Sequence, residues 1–217
     1  MNTSAENITW DWTGAEVEAE SFRRIEAEAG DHGLPLPHWR VVRRMIHTTT
    51  EFAILGEVGF HGNPVEVGLE ALREGRPIYS DSNMIRSGIS VPKLQKFHPA
   101  YARESIHCYV ADPEVAELAK DRNCTRALAA IDVGRPIIDD GIVLIGNAPL
   151  ALAGICRMIE AGELRPRLII GMPVGFVNVI ESKEWLMRTD VPHIVLSGRR
   201  GGSPLAVTAL HAIMESA

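Results

Sequence analysis

With 217 residues, 46% of them hydrophobic and 23% charged, the chain is long enough to bury one substantial core and has the composition of a turn-rich globular protein. A formal charge of −6 and a sequence pI near 5.8 exclude the broad basic face that nucleic acid demands. Three separated cysteines, Cys108, Cys124 and Cys156, form no C-x-x-C pair and argue against disulfides and structural zinc.

Residues 1–20 read as a loose polar arm. The stretch is acidic and has no basic start before an apolar run, so a signal peptide is not expected and a cytoplasmic location is. No apolar segment approaches the roughly 20 residues that span a bilayer. From Ala15 to Ala29 the pattern is helical, and a second helical region covers 40–58, ending near Gly59. Asn63-Pro64-Val65-Glu66 reads as an N-cap, a proline at the first helical position and a capping glutamate, opening a third helix to about Arg73.

After Gly75 short apolar runs alternate with helical patterns. PIYSD (77–81), IHCYVAD (106–112), GIVLIGN (141–147), RLIIGMP (167–173) and HIVLSG (193–198) are candidate strands. Helical stretches between them follow Asp112, Asn147 and Ser203 and include ESKEWLM. Such β-α alternation builds a mostly parallel sheet of about five strands with helices on both faces. Residues 1–217 are thus expected to form a single domain. Ligands of such sheets bind beyond the carboxyl ends of the strands, where Asp81, Asn147, Gly171 to Gly175 and Gly198 to Ser203 emerge.

The last two of these loops hold most of the chemistry. Each follows an apolar strand, is dense in glycine and runs into a helical pattern, which aims free backbone N–H groups at one place. Lys183, Arg199, Arg200 and Ser203 add groups suited to carboxylates at least as well as to phosphates. Ser203 and Pro204 also read as the cap and first position of the last helix, while Gly201 and Gly202 let the backbone come close to an anion. Eighteen of the 22 basic residues are Arg, whose planar fork grips carboxylates with two parallel bonds, although codon bias gives the same excess.

Neither G-x-G-x-x-G nor the lysine-bearing phosphate loop is present, and the eight histidines show no metal-ligand spacing. On pattern alone His47 is more often a satisfied helix residue than a catalytic one, and Arg126 a solvated helix arginine. Ser80 to Asn83 is ordinary turn chemistry placed at a strand end.

RMIHTTTEF (44–52), PIYSDSNMIRSGI (77–89), CTRALAAID (124–132), IGNAPLAL (145–152), GMPVGFVNVIESKEWL (171–186) and SGRRGGSPLAVTAL (197–210) together resemble the precorrin-8X methylmutases, in the family's order and over most of the chain from Ser21 onward. The resemblance implies a three-layer α/β/α Rossmann-like fold, preceded by N-terminal helices, and a homodimer. It also implies no NAD, flavin or protein-held metal, and a tetrapyrrole substrate in which a methyl group moves from an α-carbon to the adjacent β-carbon of one pyrrole ring. IHTTTEF and YSDSNMIRSGIS resemble the branch that acts on cobalt-precorrin-8 more than the branch that acts on metal-free precorrin-8X. Where the family usually has GAAESK this chain has NVIESK, and His211 stands where an asparagine is common.

Carried over by the resemblance, the catalytic histidine falls on His47, a substrate-contacting serine on Ser21 and an active-site arginine, lent by the partner subunit, on Arg126. The remaining candidates for substrate contact are Thr48, Asp81, Asn147, Gly175, Ser182, Lys183, Arg199, Gly201, Gly202 and Ser203. A corrinoid carrier that performs no reaction accounts for the same loops but leaves His47 without a task. A nucleotide-binding enzyme is disfavoured by the missing fingerprints.

Overall fold

Thr13 starts the first helix, α1 (Gly14–Ala29), by a reciprocal cap in which its hydroxyl accepts from the Glu16 N–H while its own N–H donates to the Glu16 carboxylate at 2.7 Å. The computed structural model describes residues 8–217, so the expected loose arm is corrected over residues 14–20, which are helical, and residues 1–7 lie outside the described part. Helix α2 (Leu36–Thr49) ends where Thr50 turns left-handed (φ 59°) and gives its N–H to the Ile46 carbonyl.

That turn corrects the helical reading of 40–58 beyond Thr49. A 3-10 turn (Phe52–Gly56) follows, and then strand β1 (Val58–His61), which pairs antiparallel with the last strand. Cross-strand pairing far along the chain decides the conformation here, and local pattern does not. The third helix, α3 (Pro64–Arg73), forms as expected, but Asn63 makes no capping bond. Asn63 instead supplies a left-handed residue (φ 51°), a conformation asparagine tolerates better than most.

The rest alternates. The order is β2 (Ile78–Ser80), α4 (Asn83–Gly88), α5 (Val91–Gln95), β3 (Ile106–His107), α6 (Pro113–Asp121), α7 (Arg126–Ile138), β4 (Ile142–Ile145), α8 (Pro149–Glu160), β5 (Leu168–Gly171), α9 (Val179–Leu186), β6 (His193–Leu196) and α10 (Ser203–Met214). The sheet has six strands in the order β1-β6-β5-β4-β2-β3, all parallel except β1. The expected long strand at 106–112 is two residues, an edge that pairs only with β2.

Strands β4, β5 and β6 are buried along their whole length because helices cover both faces. Ile142, Leu144, Leu168, Ile170 and Ile194 face one core with α2, α3 and α10. Val143, Ile145, Ile169 and Val195 alternate onto the other, with α7, α8 and α9. The expected α/β/α sandwich is therefore present, with one antiparallel strand added. Strand order reverses between β2 and β4, the kind of switch point at which ligands of such sheets commonly bind.

Candidate active site

Asp81 follows β2 at that switch point and is 2% exposed. Its carboxylate accepts the N–H groups of Gly146, Asn147 and Ala148 at 3.0, 2.8 and 2.6 Å. Burial pushes the Asp81 carboxyl up, and the three donors pull against it. The side chain is thus committed to the loop after β4 and to the start of α8. Asn147 is exposed at the same edge.

The loops after β5 and β6 lock together. Gly202 gives its N–H to the Met172 carbonyl at 2.8 Å, and Gly175 gives its N–H to Arg199 at 3.2 Å. A β-carbon on Gly201 would sit 2.3 Å from the Met172 oxygen and 2.6 Å from that of Pro173, so this residue is glycine because two backbones meet. These bonds correct the picture of uniformly free N–H groups, since Gly175 and Gly202 spend theirs inside the protein. They also place the bare side of Gly201 against the neighbouring loop. Ser203 is the first residue of α10 and not its cap, which is Gly202. The Ser203 hydroxyl shares a hydrogen bond of 2.8 Å with that of Ser82.

Two more candidates turn inward. Ser182, 1% exposed, donates to the Val179 carbonyl, and Lys183, also 1% exposed, donates to the carbonyls of Gly198 and Arg200. Arg200 ion-pairs with Glu51 at 2.5 Å and with Glu57, which ties the last loop to the end of α2. Arg199 alone of the loop's cations projects outward, its guanidinium carbon 5.6 Å from the ring centre of Phe176.

His47 lies in the last turn of α2, half-buried, with the Phe22 ring centre 5.2 Å away. Together with Ser21, Ile25, Thr50 and Phe52 it lines a recess of about 390 Å³. Its imidazole makes no hydrogen bond among the described residues, whereas Ser21 bonds the Val17 carbonyl at 2.9 Å. Thr48 shares a 3.0 Å bond with Thr208, so the histidine's helix and α10 are pinned side by side. The fold therefore joins His47, Ser21, Thr48 and the loop at 198–203 along one edge.

Arg126 lies elsewhere. It is exposed at the first position of α7, next to Asn123 and Cys124, and α7 covers the sheet face opposite α2. Sequence reasoning missed Phe176, which is 85% exposed on the loop after β5, and the acidic pair Glu51 and Glu57 that grips Arg200. An aromatic left bare between glycine and valine in a strand-end loop was the available signal for the first. Nothing local gives the second, because the ion pair spans 149 positions.

All three cysteines are free, no acidic, histidine or cysteine cluster able to hold a metal exists among the described residues, and no described helix is long and apolar enough to cross a membrane. The carboxyl edge of the mostly parallel sheet thus carries an unbonded imidazole and two interlocked glycine-rich loops. The sequence profile of the precorrin-8X methylmutases matches residues 16–216. The chain is 38% identical over 209 residues to the cobalt-precorrin-8 methylmutase of Leptospira interrogans, covering 93% of each. It is 38% identical over 198 residues to that of Priestia megaterium, covering 91% of this chain and 86% of the relative. The structure of precorrin-8x methylmutase from Thermus thermophilus superposes with a TM-score of 0.83 at 42% identity, covering 93% of this chain and 95% of that one. The chain belongs to the precorrin-8X methylmutase family.

Proposed function

We propose that the protein is an isomerase of cobalamin biosynthesis that moves a methyl group between adjacent carbons of one pyrrole ring, with His47 as the acid. The observation that carries this reading is the unbonded imidazole on the wall of a recess shared with Ser21. Histidine is the side chain that exchanges a proton readily near neutral pH. A proton lent to a ring nitrogen or to the conjugated system lowers the barrier for the methyl group. The bond to the α-carbon breaks and the bond to the β-carbon forms with the same electron pair, and the proton then returns to His47. No nucleophile, oxidant or cofactor enters this balance.

The substrate is read as cobalt-precorrin-8, giving cobyrinate, in keeping with the Leptospira and Priestia relatives. The Thermus relative favours a second reading, the same shift on metal-free precorrin-8X to give hydrogenobyrinate. Acetate and propionate arms suit Arg199 and the loop donors.

The reading includes a cytoplasmic homodimer in which the partner subunit's Arg126 completes the site. Support comes from the position of this chain's own Arg126 on α7, across the sheet from His47. Supplying each substrate to the purified protein and following the visible spectrum and the mass tests the function. Isomerisation changes the spectrum at constant mass. A corrinoid that binds with its spectrum and structure unaltered would leave a carrier and refute the isomerase.

A further inference from the structure

Lys183 is an ammonium with almost no contact with solvent and two acceptors, the carbonyls of Gly198 at 2.8 Å and Arg200 at 2.5 Å. The carbonyl between them, that of Arg199, takes the Gly175 N–H. Burial pushes the Lys183 ammonium down to about 8, with Glu57 opposing, so it keeps its proton at neutral pH. Glu57 is itself held by Arg200 and gives Lys183 no direct hydrogen bond.

A planar trans peptide unit sets each C=O antiparallel to the N–H of the next residue. Drawing the Gly198 and Arg200 carbonyls toward Lys183 therefore sends the N–H groups of Arg199 and Gly201 the opposite way. Neither N–H has a hydrogen-bond partner among the described residues. Two N–H groups that both point away from Lys183, two residues apart and beside the outward Arg199 side chain, suit one carboxylate.

We propose that Lys183 is a positioning residue that does not touch substrate: it orients Gly198 to Gly201 so that the N–H groups of Arg199 and Gly201 bind one substrate carboxylate as a pair. This rests on the reading of this edge as the tetrapyrrole site, and it reassigns Lys183 from substrate contact to the support of that contact.

The test compares wild type with Lys183→Met in the full chain, using cobyrinic acid and its neutral methyl ester as probes. Amide exchange over 197–203 rises about tenfold in the variant while exchange in β4 and β5 is unchanged. Affinity for the acid falls about 10- to 100-fold, as expected for two hydrogen bonds to a charged group, and affinity for the ester does not. At saturating substrate kcat stays within about threefold, because His47 is untouched. Loss of acid binding with unchanged loop exchange would mean that Lys183 meets the ligand itself, and a protein-wide rise in exchange would reduce it to a core residue. Either result overturns the proposal. Should Lys183→Met fail to fold, Lys183→Gln, which keeps an N–H donor group without the charge, carries the same measurements with intermediate shifts. A wild type that binds neither probe defeats the functional reading, and the exchange data still judge whether Lys183 orients the loop.

Discussion

Gly201→Ala tests how the two strand-end loops are joined. The added β-carbon would lie 2.3 Å from one carbonyl oxygen and 2.6 Å from another, and both belong to backbone that no rotamer change can move aside. Relief to an ordinary contact of about 3.4 Å requires the loops to part by roughly 1 Å. That displacement stretches the 2.8 Å bond from the Gly202 N–H to Met172 beyond useful reach. Overpacking costs roughly 1–3 kcal/mol and the lost bond about 1 more, giving roughly 2–4 kcal/mol. For a chain of this length the melting temperature falls by roughly 5–15 °C. Gly198→Ala is the control: nothing lies within 4 Å of its β-carbon, and only the left-handed backbone (φ 71°) resists, at about 1 kcal/mol. Calorimetry of both variants measures the difference, and corrinoid titration of the folded fraction shows whether the shifted loop binds more weakly. A Gly201→Ala protein that melts within about 1 °C of wild type would refute the close-approach argument.

His47→Ala retains corrinoid binding and loses turnover by about 100- to 10,000-fold, the range of general acid catalysis, and single-turnover spectra read both quantities. Mixing His47→Ala and Arg126→Ala protomers restores one intact site per mixed dimer if the partner lends Arg126, and no gain in activity after confirmed subunit exchange removes that sharing. His211 carries a pH dependence of known sign. Its neutral Nε2 accepts the Ser90 N–H at 3.2 Å, and burial, with Lys93 and Arg44 adding to it and Glu215 opposing, pushes the imidazole from 6.5 down to about 4. The unfolded chain therefore takes up the proton first as pH falls, so stability is complete above about 6.5 and is lost toward 4. Solvent screening holds the loss to roughly 1–2 kcal/mol. Urea midpoints at pH 7 and pH 4.5 show a smaller acid loss in His211→Asn than in wild type, and equal losses would exclude His211 as the source.

What was legible in the sequence depended on how far each determinant reaches along the chain. Strands β2, β4, β5 and β6 announced themselves because the apolar run, the turn glycine and the following helix are contiguous, and the resulting β-α rhythm dictates a parallel sheet. Strand β1 stayed hidden because its pairing with β6 joins residues 58–61 to 193–196, and its own residues follow an apolar stretch that reads equally well as helix. The site divides in the same way. Its edge of the sheet was readable, since glycine-rich strand ends must lie together once the strands are parallel. The separation between polar side chains bonded inside the protein and those left unbonded was not readable. Asp81, Ser182, Lys183 and Arg200 are polar or charged, as Arg199 and Asn147 are, and sequence assigns them alike. Burial and pairing separate them: Asp81, Ser182 and Lys183, sealed from water, must find partners inside and do so on backbone N–H and carbonyl groups, while the half-exposed Arg200 is held by the carboxylates of Glu51 and Glu57. The polar groups at this edge therefore form two tiers. The inner tier satisfies itself and fixes the loops, whereas the outer side chains of His47 and Arg199 make no hydrogen bond among the described residues.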